Sequence, residues 1–164
     1  RSRWNVALKI PKKLSDSGKF LPEAKLLVNC DKHNKNLVNL QGIIYTTSPS
    51  TGKLVHFALI LEYCHVGQLK EYLVDHRNDF KAVDKNSLSQ VSCIDGFPHI
   101  WAGNRINHAV ELLAVWAYQV VSGMDFLASR GIYHGDLAAR NVLLTEKFVA
   151  KVSHFRQAKI LNKD

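Results

Sequence analysis

Asp136, Arg140 and Asn141 place an acid, a cation and an amide within six residues of one short stretch, Tyr133-His134-Gly135-Asp136-Leu137-Ala138-Ala139-Arg140-Asn141-Val142-Leu143-Leu144. Asp136 and Asn141 can converge on one phosphate and metal centre only if the backbone between them folds into a tight, ordered loop. A carboxylate placed to accept a hydroxyl proton, with an amide oxygen able to hold a metal ion shortly after it, is a phosphoryl-transfer signature. An apolar-periodic segment precedes the stretch and a strand-like run follows it, so the loop is held at both ends.

Phosphoryl transfer also needs a cation on the phosphates, and Val6-Ala7-Leu8-Lys9-Ile10 offers one. The run reads as a short strand ended by Pro11, because proline cannot continue a ladder. A lysine among apolar neighbours is either an edge residue whose head reaches water or a buried cation with a partner. Glu23 can be that partner. Residues 23–30 read as a helix, with Leu26, Leu27 and Cys30 at helical spacing. Pro22 complicates the assignment, since proline is tolerated only in the first helical turn. It sets Glu23 near the helix start, where a carboxylate also favours the dipole for reasons unconnected with catalysis.

The remaining elements must position these groups. Residues 37–45 and 54–61 are β-prone runs joined by Thr46-Thr47-Ser48-Pro49-Ser50-Thr51-Gly52, which predicts an antiparallel hairpin. Glu62-Tyr63-Cys64-His65-Val66-Gly67-Gln68-Leu69 then leaves the sheet and enters a helix over 70–76. Such a crossing would hinge two lobes, and its backbone could hydrogen-bond a flat base. Residues 78–104 break the periodicity with Gly96, Pro98 and Gly103 and read as an insert. Ile106, Val110, Leu113, Ala117, Val120, Met124 and Leu127 recur at steps of four and three and predict a long core helix, ended by Gly131. Leu112, Val115, Trp116 and Val121 give it a second apolar face. Residues 142–144 and 148–152 predict a closing hairpin that leads into Ser153-His154-Phe155-Arg156.

At 164 residues, 46% hydrophobic and 22% charged, the chain is in the globular class, with length for one ordinary domain or two small lobes. The net charge of +8 would suit a nucleic-acid surface, but Lys and Arg are scattered, and no aromatic-basic interleaving accompanies them. They read as solvated surface. Cys30, Cys64 and Cys93 show no Cys-x-x-Cys spacing, which argues for a reducing compartment and against a zinc site. The uncharged apolar run over residues 112–124 is shorter than the ~20 residues a bilayer span needs. No signal peptide opens the chain, so any membrane tether is expected outside this segment.

Taken together, Val-Ala-Leu-Lys, a helix with Glu23, a hairpin, a Glu-Tyr-Cys hinge, an insert, Trp-Ala-Tyr-Gln-Val-Val-Ser-Gly-Met-Asp-Phe-Leu and His-Gly-Asp-Leu-Ala-Ala-Arg-Asn run in the order of a protein kinase. The last two stretches resemble the split-kinase receptors for fibroblast, vascular endothelial and platelet-derived growth factors. The resemblance implies a bilobal α+β fold, with an N-lobe over residues 1–61, a hinge at 62–69 and a C-lobe over 70–164 carrying the insert. It implies ATP and Mg2+ as cofactors, with Asp136 as base, Asn141 on metal and Lys9 on phosphates, paired to Glu23. Ala138-Ala139-Arg140 is the tyrosine-kinase wording of the loop. Leu61 would sit at the gatekeeper, Glu62 and Cys64 would offer backbone to adenine, and Ala7 and Leu143 would sandwich the base. Leu27, His134 and Phe155 match the apolar regulatory stack. Implied partners are tyrosine-bearing proteins, signalling proteins and a second receptor copy, at the cytoplasmic side of the plasma membrane or otherwise in the cytoplasm.

Two departures bear on mechanism. The family's Asp-Phe-Gly is here His154-Phe155-Arg156, so an imidazole stands where a metal-holding carboxylate belongs. Magnesium prefers hard oxygen ligands, and losing one preorganised electrostatic group costs about 3 to 4 kcal/mol, roughly a hundred to a thousandfold in rate. Gly135 replaces the arginine that would pair with a phosphorylated activation loop. By the family pattern the chain also starts after the Gly-rich loop and stops before the activation segment. Two functions are therefore in competition: a tyrosine kinase, impaired at its metal site, and a pseudokinase that binds or scaffolds without transfer.

Overall fold

Alternation along Val6-Ala7-Leu8-Lys9 sets which way the first strand faces. In the computed structural model, which describes residues 5–12, 20–30, 34–52, 54–80 and 105–161, β1 (Val6–Lys9) leaves Val6 and Leu8 on an exposed face and turns Ala7 and Lys9 inward. The expected turn at 15–18, Cys93 and the insert beyond Phe80 lie outside the described residues. α1 (Leu21–Asn29) carries Pro22 in its first turn, where its missing N–H costs nothing, and buries Leu26, Leu27 and the adjoining Cys30. β2 (Leu40–Thr47) and β3 (Leu54–Glu62) form the predicted antiparallel pair, in a sheet of order β1-β3-β2 that sets Ala7 opposite Leu61 and Lys9 opposite Leu59.

β2 starts three residues later than the sequence suggests. Residues 36–38 have another use: Val152 N–H donates to Asn36 O at 2.8 Å and Val38 N–H donates to Val152 O at 2.9 Å. That short parallel bridge ties the first sheet to the second half of the chain. There, β4 (Gly67–Gln68) leads directly into α2 (Leu69–Asp75) and α3 (Arg77–Phe80), so the start of the expected insert is helical. The long helix α4 (Arg105–Ser129) follows, then β5 (Ile132–Tyr133), β6 (Val142–Leu144), β7 (Ala150–Val152) and β8 (Lys159–Ile160). β4, β6 and β7 make one antiparallel sheet, and β5 pairs with β8.

α4 buries most of the face its apolar spacing predicts, with Val110 and Leu127 buried, Leu113, Val120 and Met124 packed against the core, and Ala117 the exposed exception among the described residues. The buried surface also includes residues that the spacing does not pick out. Ala109, Leu112, Trp116, Gln119, Gly123 and Leu127 are buried, while Ala117 and Val121 are exposed. Trp116 Nε1 donates to Phe148 O at 2.9 Å, and Gln119 Oε1 accepts from Ala150 N–H at 2.7 Å. At Gly123 a Cβ would come within 2.9 Å of Asn36 O. A polar residue and a glycine are invisible to an apolar count, yet here they carry the contact with β7 and the 36–38 bridge. By length and composition Ala109–Ser129 could cross a membrane, and one of its faces packs against β7. Gln119→Ala should cost about 1 to 3 kcal/mol by leaving the buried Ala150 N–H without its acceptor. Val121→Ala should stay within about 0.5 kcal/mol. Urea unfolding of both variants checks the assignment, and equal losses would contradict it.

Candidate functional site

From the inner face of β1, Lys9 Nζ donates to Glu23 Oε1 at 2.7 Å and Oε2 at 2.8 Å. Glu23 is 2% exposed, so its carboxylate depends on this cation. The pair links the sheet to α1, and α1 in turn packs on the turn that follows β7 through the apolar cluster of Leu27 and Phe155.

The loop after β5 is closed by its own polar groups. Asp136 N–H donates to His134 Nδ1 at 3.2 Å, which assigns the ring hydrogen to Nε2, and Nε2 donates to Ser153 O at 2.9 Å. Asn141 Nδ2 donates to Asp136 Oδ2 at 2.9 Å and to Asp136 O at 2.7 Å, and the Arg140 guanidinium donates to Asp136 Oδ1. The tight loop that would bring Asp136 and Asn141 together is therefore formed. It is joined to the next strand end by Ser153, whose N–H and Oγ both donate to Asn141 O at 2.8 Å.

His154 follows in the left-handed region at φ 68°. Burial holds its imidazole below the usual histidine range, the charge of Lys9 pushes the same way, and Glu23 and Asp136 oppose. Phe155 is buried, with its ring 5.3 Å from that of His134. Ala7, Glu23, Leu61, Glu62, Leu143 and His154 line one cleft with Val38 and Ser153, around an inner cavity of about 100 Å³. Lys9, Cys64, Asp136, Arg140 and Asn141 are not among the residues that line that cavity. The Cys64 thiol is pushed up to about 11, by burial first and by Glu62 second, against Lys151. A larger recess of about 460 Å³ on the outer face of the sheet, lined by Leu8, Ile10, Ile44 and Phe57 among others, gathers none of these residues.

Gly135 also has a structural cause. Its φ is +79°, and a Cβ there would lie 2.5 Å from Gln157 O. The segment after Phe155 runs back along the loop, with Leu161 N–H donating to Gly131 O at 2.7 Å and Ile160 opposite Ile132. Any side chain at 135 would meet backbone.

The family model described as protein tyrosine and serine/threonine kinase matches residues 1–164. The chain belongs to that family. It is similar to vascular endothelial growth factor receptor 2 of Rattus norvegicus, at 31% identity over 92% of this chain and 13% of the relative. It is also similar to vascular endothelial growth factor receptor 3 of Danio rerio, at 30% over 97% of this chain and 13% of that protein, and to a fibroblast growth factor receptor of Halocynthia roretzi, at 31% over 85% of this chain and 17% of that protein. The chain thus spans about 13% of the length of the first of these relatives. Its architecture is the bilobal α+β fold of the kinase family.

Kinases of this family use ATP and Mg2+. The residues present do not make a magnesium site: Asn141 Oδ1, the expected ligand atom, carries no hydrogen bond among the described residues, but neither Glu23 nor Asp136 has a carboxylate oxygen free to join it. Both Glu23 oxygens face Lys9, both Asp136 carboxylate oxygens accept from Arg140 and Asn141, and Glu62 Oε2 is 3.0 Å from Lys151 Nζ. His154 offers nitrogen where oxygen is needed. Among the described residues no three His, Cys, Asp or Glu side chains gather as ligands.

Three site residues escaped the sequence reading. Val38 lines the cleft from the bridge segment, Ser153 latches the loop, and Lys151, 6% exposed, pairs with Glu62 and donates to Leu37 O at 3.4 Å. Lys151 sits within an apolar strand run, as Lys9 does, and that shared setting was the available signal.

Proposed function

We propose that this chain is a receptor tyrosine kinase-type domain that binds nucleotide in its cleft and is impaired in phosphoryl transfer. The reading is carried by His154, which lines the cleft and in the family pattern takes the place of the metal-holding carboxylate, next to Ser153, whose bonds to Asn141 O tie it to the loop in which Asn141 holds Asp136. In this reading residues 1–61, 62–69 and 70–164 are N-lobe, hinge and C-lobe. Ala7, Leu61 and Leu143 flank a base, the backbone at Glu62 and Cys64 meets its edge, and Lys9, held by Glu23, meets phosphate. Asp136 is the base for a substrate hydroxyl, Arg140 orients it, and Asn141 keeps its amide in the site. The inner cavity is smaller than the ~300 Å³ of ordinary ligand pockets, so the phosphates would lie in the open part of the cleft. ATP, tyrosine-bearing or signalling proteins and a second receptor copy are the partners. The location is the cytoplasmic side of the plasma membrane, with any membrane segment outside this chain.

A second reading, a pseudokinase that regulates partners without transfer, is favoured by one combination. The Leu27, His134 and Phe155 stack is packed while the carboxylate is lost. A γ-phosphate transfer assay with Mg2+ separates the readings. We expect trace transfer, abolished in Asp136→Asn, and a gain of about a hundredfold in His154→Asp. No transfer in either the parent chain or His154→Asp selects the pseudokinase. Ordinary kinase rates in the parent chain, lost in Asp136→Asn, would remove the impairment.

A further inference from the structure

We propose that the cleft binds nucleoside triphosphate through N–H donors of its own, without a divalent cation. The proposal rests on the nucleotide reading above and states how the charge of the phosphates is met.

The first support is the state of the acids. A divalent cation needs oxygens that are free to turn to it, and among the described residues Glu23 and Asp136 have both carboxylate oxygens bonded, while Glu62 Oε1 and Asn141 Oδ1 carry no hydrogen bond. Glu23 is engaged by Lys9 through both oxygens, Asp136 by Arg140 and Asn141, and Glu62 by Lys151 and the Asn39 N–H at 3.3 Å. Turning Glu23 or Asp136 to a metal would mean breaking one of these pairs and exposing its cation.

The second is the state of the donors. An ammonium has three N–H groups, and Lys9 uses two on Glu23, which leaves one. Among the described residues neither ring nitrogen of His154 has a hydrogen-bond partner, and an imidazole in any form presents at least one N–H. Arg156, exposed and without a partner among the described residues, lies close enough for its charge to act on His154. His154 lines the cleft with Glu23, Lys9 is bonded to Glu23, and Arg156 is two residues from His154, and all three groups suit anionic oxygens directly.

The third is a charge count. Against the family's Asp-Phe-Gly, His154-Phe155-Arg156 loses one negative charge at the first position and gains one positive charge at the third. The motif is two units more positive, the charge of the ion it no longer has ligands to hold.

The experiment is calorimetric titration of the 164-residue chain with ATP, in EDTA and in excess Mg2+, with Mg2+ alone as a control. We expect Kd values that agree within about twofold between the two conditions, and no heat from Mg2+ alone. His154→Asp should weaken ATP binding in EDTA by about tenfold and regain it with Mg2+. His154→Asn, uncharged and of similar reach, should keep the parent's indifference to Mg2+, which separates the charge effect from a folding defect. Arg156→Gly should weaken binding in EDTA by about threefold. ATP binding to the parent chain only with Mg2+, or at least tenfold tighter with it, overturns this proposal and leaves the nucleotide reading standing. Absence of ATP binding in both conditions overturns both.

Discussion

Gly135→Arg, the substitution that restores the kinase-family residue, is expected to destabilise the chain by about 2 to 5 kcal/mol rather than repair its loop. The left-handed backbone at φ +79° costs a non-glycine residue about 1 to 3 kcal/mol. The contact with Gln157 O adds an overpacking term of about 1 to 3 kcal/mol, because the atom met is backbone and cannot swing aside. The damage should be local at first. Hydrogen exchange should accelerate at Leu161 and along β8, where pairing with residues 131–133 holds the segment, before α4 is affected. Gly135→Ala is the discriminating control. Since the collision begins at Cβ, alanine should lose nearly as much as arginine, and an alanine variant with the parent's melting temperature would remove the explanation.

The second large effect is expected at Lys9. Lys9→Met keeps the length of the side chain and removes the charge, which leaves the Glu23 carboxylate buried with no cation among its described contacts. Breaking a buried pair by removing one partner costs about 3 to 5 kcal/mol, much more than the pair contributes as a unit. The double variant Lys9→Met/Glu23→Leu should recover most of the loss, since neither charge is then stranded. A double-mutant cycle in urea measures this, and simple additivity of the two single losses would contradict the buried-pair account. ATP binding should fall in both the single and the double variant even where stability returns, which divides the structural role of Lys9 from its role towards phosphate.

These two sites also show what could be read in the sequence. The loop from His134 to Asn141 was legible because acid, cation and amide at fixed spacing have few uses. Lys9 and Glu23 were legible as a pair because a charge among apolar residues must find a partner. The hairpins and the long helix followed from periodicity. Two of the residues that α4 buries did not. Gln119 and Gly123 count against burial in any apolar pattern, yet one satisfies a strand N–H and the other admits a carbonyl. Gly135 was visible as a missing arginine but not as a required glycine, since the reason lies in Gln157, distant in sequence and adjacent only in the fold. The Lys151 and Glu62 pair was hidden likewise: it joins strands whose neighbourhood depends on the bridge at residues 36–38.

The two bonds from Ser153 to Asn141 O have a mechanical consequence. Both atoms that Ser153 can donate with are spent on one carbonyl, so the backbone immediately before His154 is pinned to Asn141. The imidazole can rotate about its own bonds, but its Cα cannot travel without dragging Asn141, and Asn141 holds Asp136. Ser153, Asn141 and Asp136 are therefore joined as one unit that carries His154, and a displacement of the cleft wall at His154 would be felt at the Asp136 carboxylate.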